Sequence, residues 1–105
     1  MISGGVLEAV ILHVHPGREA AYEAAFREAS PIIAASPGYR RHELRRCIEH
    51  PGQYLLLVEW DTLEAHTVGF RQSAAYQDWK RLLHGFYDPF PVVEHYAPVE
   101  LESAP

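Results

Sequence analysis

His66 and Arg71 stand close together in HTVGFR, within a stretch that opens at Trp60 and closes at Trp79. Histidine titrates near neutral pH, so His66 on a pocket wall is a candidate general base. The other reading of His66 is a partly buried imidazole hydrogen-bonded to a backbone carbonyl. Arginine is a permanent planar cation, so Arg71 is a candidate holder of a phenolate or carboxylate. Its plain alternative is an ion pair, but Glu64 and Asp78 lie about two turns away on one straight helix. Trp60, Phe70, Tyr76, Trp79 and Phe86 offer flat walls for an aromatic ligand, or simply core packing. His13 and His15 share a strand face about 6–7 Å apart. No carboxylate at ligand spacing and no H-E-x-x-H motif accompanies them, so no metal is assigned to the pair. His95 and Tyr96 are neighbours on a strand and point to opposite faces, so only one of them faces a cavity under the helices.

These residues need elements to hold them. VLEAVILHVH (6–15) is apolar on both alternating faces and reads as a central strand. Pro16-Gly17 ends it. Tyr22, Ala25, Phe26, Ala29, Ile32 and Ile33 then recur on a 3.6-residue period, giving a helix over about 18–35, with a kink or break expected at Pro31. Ser36-Pro37-Gly38 is a turn. The arginine-rich YRRHELRRCIE (39–49) suits an edge strand, and a tight turn at 50–53 pairs it with the apolar strand 54–60. Asp61 with Glu64 has capping-box spacing, which predicts a second helix to about residue 87, with Ser73 capping a second segment of it. Residues 92–101 form the last strand, which Pro98 confines to an edge. The order β-α-β-β-α-β predicts one α+β, ferredoxin-like domain with a core over about 6–101 and both helices on one face of a four-stranded antiparallel sheet. The other face is left apolar and uncovered, so a homodimer through that face is expected.

Composition removes several classes of function. A net charge of −5 and a pI near 5.7 argue against nucleic acid and anionic membranes as partners. Cys47 is the only cysteine, which excludes an internal disulfide or a cysteine zinc site. No apolar run approaches the ~18 residues of a membrane span, and the chain reads as cytoplasmic. No glycine-rich phosphate loop, dinucleotide fingerprint or nucleophile motif is present, so no flavin or nicotinamide site of the usual kind is expected.

Pro37-Gly38-Tyr39, Glu59-Trp60, Glu64-Ala65-His66 with Phe70-Arg71 and Ser73, and Val93-Glu94-His95-Tyr96 resemble the antibiotic biosynthesis monooxygenase (ABM) family, over about residues 6–99. The resemblance implies a dimeric α+β barrel built from ferredoxin-like protomers. It implies one of several activities: oxygenation of polyketide-derived phenols, action on quinols, or haem degradation. The positions that the haem-degrading branch uses fall on Val10, on Gly69 or Phe70, and on Trp79 or Lys80, and none is kept. The resulting expectation is a monooxygenase without a cofactor that acts on a small quinol or polycyclic phenol. The alternative is a non-catalytic dimeric protein that binds a small apolar or aromatic metabolite, with haem binding third. An electron-rich phenol can itself reduce oxygen once deprotonated, so the protein needs only a slot, a base and an anion partner. His66 and Arg71 are assigned those last two roles. Val10, Leu12, Trp60, Phe70, Tyr76, Trp79 and His95 are assigned to the slot, which is expected between the sheet and the helices with Arg71 at its mouth.

Overall fold

A computed structural model describes residues 5–101 of the chain. Its elements run β1 (Val6–His13), α1 (Glu19–Ala34), β2 (Tyr39–Arg46), β3 (Gln53–Trp60), a π-helical turn (Ala65–Phe70), α2 (Ala74–Leu83), a 3-10 turn (His84–Phe86) and β4 (Val93–Tyr96). The strands form one antiparallel sheet in the order β2-β3-β1-β4. The apolar strands β1 and β3 are therefore central, and the charged β2 and short β4 are edges, as the ferredoxin-like order requires.

Strand alternation sorts the side chains. Val10 and Leu12 of β1 and Tyr54, Leu56, Val58 and Trp60 of β3 are buried on one face. Tyr22, Phe26, Ala29 and Ile33 of α1 and Trp79 and Leu83 of α2 close over them. Leu7, Ala9, Leu55 and Leu57 occupy the opposite face and are only half-buried. Ile11 and Tyr96 on that face are half-exposed, at 50% and 52%.

Four local expectations change. Helix α1 does not break at Pro31, whose side chain is exposed where the missing N–H is tolerated. Asp61 does not cap the next helix: its carboxylate accepts from Arg40 Nε at 2.6 Å, and Thr62 Oγ1 accepts the Ala65 amide at 3.1 Å instead. The first half of the second helical region is wound as a π-helix, with the Arg71 amide reaching His66 O. β4 stops at Tyr96, so Pro98 lies beyond the strand rather than inside it. The break at Ser73 is present, and its Oγ accepts the Tyr76 amide at 3.2 Å.

Candidate active site

β1 delivers three buried residues to the helix-covered face: Glu8, Val10 and Leu12. The first is a carboxylate at 5% exposure. Its register partner on β4 is His95, and its partner on β3 is Val58. Cross-strand partners stand with their Cβ atoms about 5 Å apart, so Glu8 and His95 are adjacent by construction. Trp60, one strand over, donates its indole N–H to Glu8 Oε1 at 2.9 Å.

The π-helical turn sets the remaining pieces. Winding i→i+5 instead of i→i+4 inserts an extra residue and brings His66 and Phe70 inward, where both are buried. Arg71 follows at the exposed rim. The His66 ring stacks on Trp60, with centroids 5.2 Å apart and planes 22° apart. Its Nε2 lies 3.5 Å from Glu8 Oε1, and its Nδ1 is 2.8 Å from His95 Nε2. Glu8, His66 and His95 thus form a line, with the imidazole of His66 in the middle and each of its nitrogens facing one neighbour. A backbone carbonyl is not its partner. Of β4's two candidates, His95 faces the helices and Tyr96 the open face.

Burial dominates the electrostatics. It raises Glu8 to about 6, against the Trp60 hydrogen bond and the charge of Arg71, which both favour the carboxylate. It lowers His66 to about 3, helped by Arg71 and His95. His95 is also lowered, by burial and by Arg71. At neutral pH the line therefore holds an ionised Glu8 between a neutral His66 and an indole donor, with the charge of Arg71 felt at Glu8, His66 and His95.

A cavity of about 50 Å³ lies against this line, between sheet and helices. Val10, Leu12, Phe70, Tyr76 and Trp79 make its apolar wall, and Glu8, His66 and Arg71 its polar one. His84, Phe90 and Pro91 are also among its lining residues. Seven residues assigned from the sequence thus meet at one cavity: Val10, Leu12, His66, Phe70, Arg71, Tyr76 and Trp79. Two do not line it. Trp60 is fully buried behind the His66 ring, and His95 lies on the far side of that ring. Sequence reasoning missed Glu8. The signal was present, because Glu8 is in phase with Val10 and Leu12 in a strand that otherwise reads as apolar.

Arg71 pairs with neither Glu64 nor Asp78, and Asp78 pairs with Arg81 instead. His13 and His15 are exposed. Among the described residues no three His, Cys, Asp or Glu side chains converge as a metal site. Glu8 and His95 address opposite nitrogens of one ring, so the line itself cannot close around an ion. No helix among the described residues is long and apolar enough to cross a membrane.

Residues 6–82 match the family model described as "Antibiotic biosynthesis monooxygenase". The chain is 56% identical over 94 residues to the "Uncharacterized protein YczJ" of Bacillus subtilis (strain 168), covering 90% of this chain and 99% of that one. It superposes with a TM-score of 0.89 on the crystal structure of an antibiotic biosynthesis monooxygenase homologue from Bordetella bronchiseptica, at 38% identity over 93% of this chain and 100% of the other. SnoaB, a cofactor-independent oxygenase from Streptomyces nogalater, shares the fold, with a TM-score of 0.70 at 22% identity over 98% of this chain and 99% of that chain. On the family model and these two relatives, the chain belongs to the antibiotic biosynthesis monooxygenase family.

Proposed function

We propose that this protein is a monooxygenase that uses no cofactor and acts on a small, electron-rich hydroquinone. The observation that carries the reading is the pairing of a buried carboxylate–imidazole couple and a rim arginine on one wall of an otherwise apolar cavity. Kinship with an oxygenase fold that includes SnoaB supports it. The base is the Glu8–His66 pair. Glu8 is the member poised near neutral pH, while His66 alone, lowered to about 3, is a weak acceptor. Arg71 holds the phenolate that results. The phenolate passes an electron to O2, the two radicals join, and a C–O bond forms at the ring. Breaking the O–O bond leaves a hydroxyquinone and releases the second oxygen as water. Hydroquinone plus O2 balances hydroxyquinone plus water, so no external reductant is required.

Size narrows the substrate. Pockets for drug-sized ligands span about 300–1,000 Å³, and an engineered cavity of about 150 Å³ accepts benzene. The 50 Å³ here admits a ring only if the rim opens. Phe90, 62% exposed and edge-on to His84, is the lining residue whose displacement would open it. A single-ring hydroquinone needs less opening than a polycyclic phenol, and is the better fit.

Oxygen uptake across a panel of substituted hydroquinones tests this reading. Uptake above the autoxidation rate, reduced at least about 100-fold in Glu8→Gln, is the expected result. Uptake that the variant leaves unchanged removes the base from the mechanism. We also propose that two copies pack through their open sheet faces. Leu7, Ala9, Ile11, Leu55 and Leu57 form an apolar strip there, bordered by Arg41, Glu43, Arg45 and Glu59.

A further inference from the structure

Glu8 is only 5% exposed and faces solvent only across the cavity it lines, so a base there must still exchange its proton when substrate fills that cavity. A way out that substrate does not block runs through the cross-strand neighbour. We infer that Glu8, His66 and His95 form a proton path that ties the charge of the buried carboxylate to solvent through a joint change of tautomer in the two histidines. This inference rests on the proposed role of Glu8 as base.

The geometry supports a two-state path. With Glu8 ionised, His66 carries its proton on Nε2, facing Oε1 at 3.5 Å. Its bare Nδ1 then accepts a hydrogen bond from His95 Nε2–H at 2.8 Å. With Glu8 protonated, both donors along the line reverse, while the Trp60 indole still donates. The carboxyl faces a bare Nε2, and His66 donates from Nδ1 to His95 Nε2. Neutral His95 then carries its proton on Nδ1. That nitrogen has no hydrogen bond to any described residue, and the ring is only partly buried.

The interconversion balances with one proton. Inward, a solvent proton bonds to His95 Nδ1. The Nε2–H bond of His95 breaks as Nδ1–H of His66 forms. The Nε2–H bond of His66 then breaks as O–H of Glu8 forms. Outward transfer is the same sequence reversed, and neither direction needs a ring to turn. The groups that face the path are few. Trp60 from β3 is neutral and holds Glu8 Oε1, so it favours the ionised end. Arg71, which follows the π-helical turn, lies near all three members and opposes extra positive charge on either ring. The stacking of His66 on Trp60 fixes the ring plane, so its two nitrogens keep aiming at their partners.

His95 is by this account a positioning residue. Its readout is spectroscopic and independent of turnover. Nitrogen-15 spectra of the imidazole rings report the tautomer of each histidine against pH. The wild-type protein is expected to show both rings passing from Nδ1–H to Nε2–H at one shared midpoint as pH rises. Glu8→Gln is expected to abolish the change at His95, although Glu8 is not its hydrogen-bonding partner. Trp60→Phe, which keeps the carboxylate but removes its donor, is expected to move both midpoints upward together. Rings that switch at separate midpoints, or a His95 that switches unchanged in Glu8→Gln, overturn the path. Joint switching without hydroquinone oxidation overturns the oxygenase reading and leaves the path standing. Oxidation with uncoupled rings does the reverse.

Discussion

A carboxylate on the inward side of a central strand is costly, and at Glu8 the cost has visible compensation from one indole N–H and the field of Arg71. The same burial gives acid stability a distinct shape. His66 has its ordinary value of 6.5 when unfolded and about 3 when folded. Between those values the unfolded chain binds the extra proton, so stability falls as pH falls, by up to about 1.4 kcal/mol per pH unit. Glu8 has the opposite sign. Raised from 4.5 to about 6, it binds its proton in the fold first, so its own contribution to stability rises as pH falls between those values. The two effects oppose each other from about 6 down to 4.5, and His66 dominates below. Thermal melts of Glu8→Gln are therefore expected to lose stability more steeply than the wild type over that window. Parallel curves would contradict the assignment. At this scale the sequence carried much of the site. Alternation placed Val10 and Leu12 together, and helical spacing placed Phe70, Tyr76 and Trp79 near them. What it did not carry was depth. Periodicity says which way Trp60 points, but not that His66 lies between it and the cavity.

The π-helical turn positions His66, Phe70 and Arg71, and it leans on a glycine. Gly38 sits at φ +84°, and a Cβ added there would come within 2.6 Å of the Ala65 Cβ, the first residue of the turn. The Asp61 amide donates to Gly38 O at 2.7 Å, tying the entry of the turn to the same glycine. Gly38→Ala thus combines an unfavourable backbone with a displaced turn. Its expected cost is about 2–4 kcal/mol in urea unfolding, together with a loss of turnover. Gly17→Ala is the control. Its φ is +82° but nothing lies within 4 Å of an added Cβ, so it should cost only about 1 kcal/mol and leave the site alone. Equal costs would show that the Ala65 contact is unimportant. The Ser36-Pro37-Gly38 turn and the break at Ser73 were legible because glycine, proline and serine act locally. The cap was not. Asp61 and Thr62 are both good caps in isolation, and the choice fell to a distant partner, Arg40. The π-winding likewise leaves no pattern that separates it from α-helix in a single sequence.

Across the molecule, one sheet face is closed by two helices and the other is not. The β-α-β-β-α-β order and the edge positions of β2 and β4 were legible because hydrophobic runs, charge density and turn chemistry agreed. A dimer through the open face is the proposed consequence. A four-stranded sheet of such strands, roughly 25 by 19 Å, offers about 500 Å² per copy. A stable interface buries at least about 1,200 Å² in total, so residues beyond the sheet must contribute. Val99 and Leu101, 73% and 81% exposed just past β4, are candidates to extend it. Sedimentation at micromolar concentration is expected to give twice the 11.9 kDa chain mass. Leu57→Lys, at the centre of the apolar strip, is expected to yield folded monomer. A wild-type monomer at that concentration would contradict the arrangement.

The central claim is that the chain inserts oxygen from O2 into a hydroquinone with its own residues as base and anion partner. The most direct measurement is isotopic. Purified protein is turned over with 18O2 and the most reactive hydroquinone of the panel, beside Glu8→Gln, and the product is weighed by mass spectrometry. The account predicts one 18O atom in each hydroxyquinone formed above background, and almost none from the variant. Product without label, or label incorporated equally well by Glu8→Gln, would contradict it.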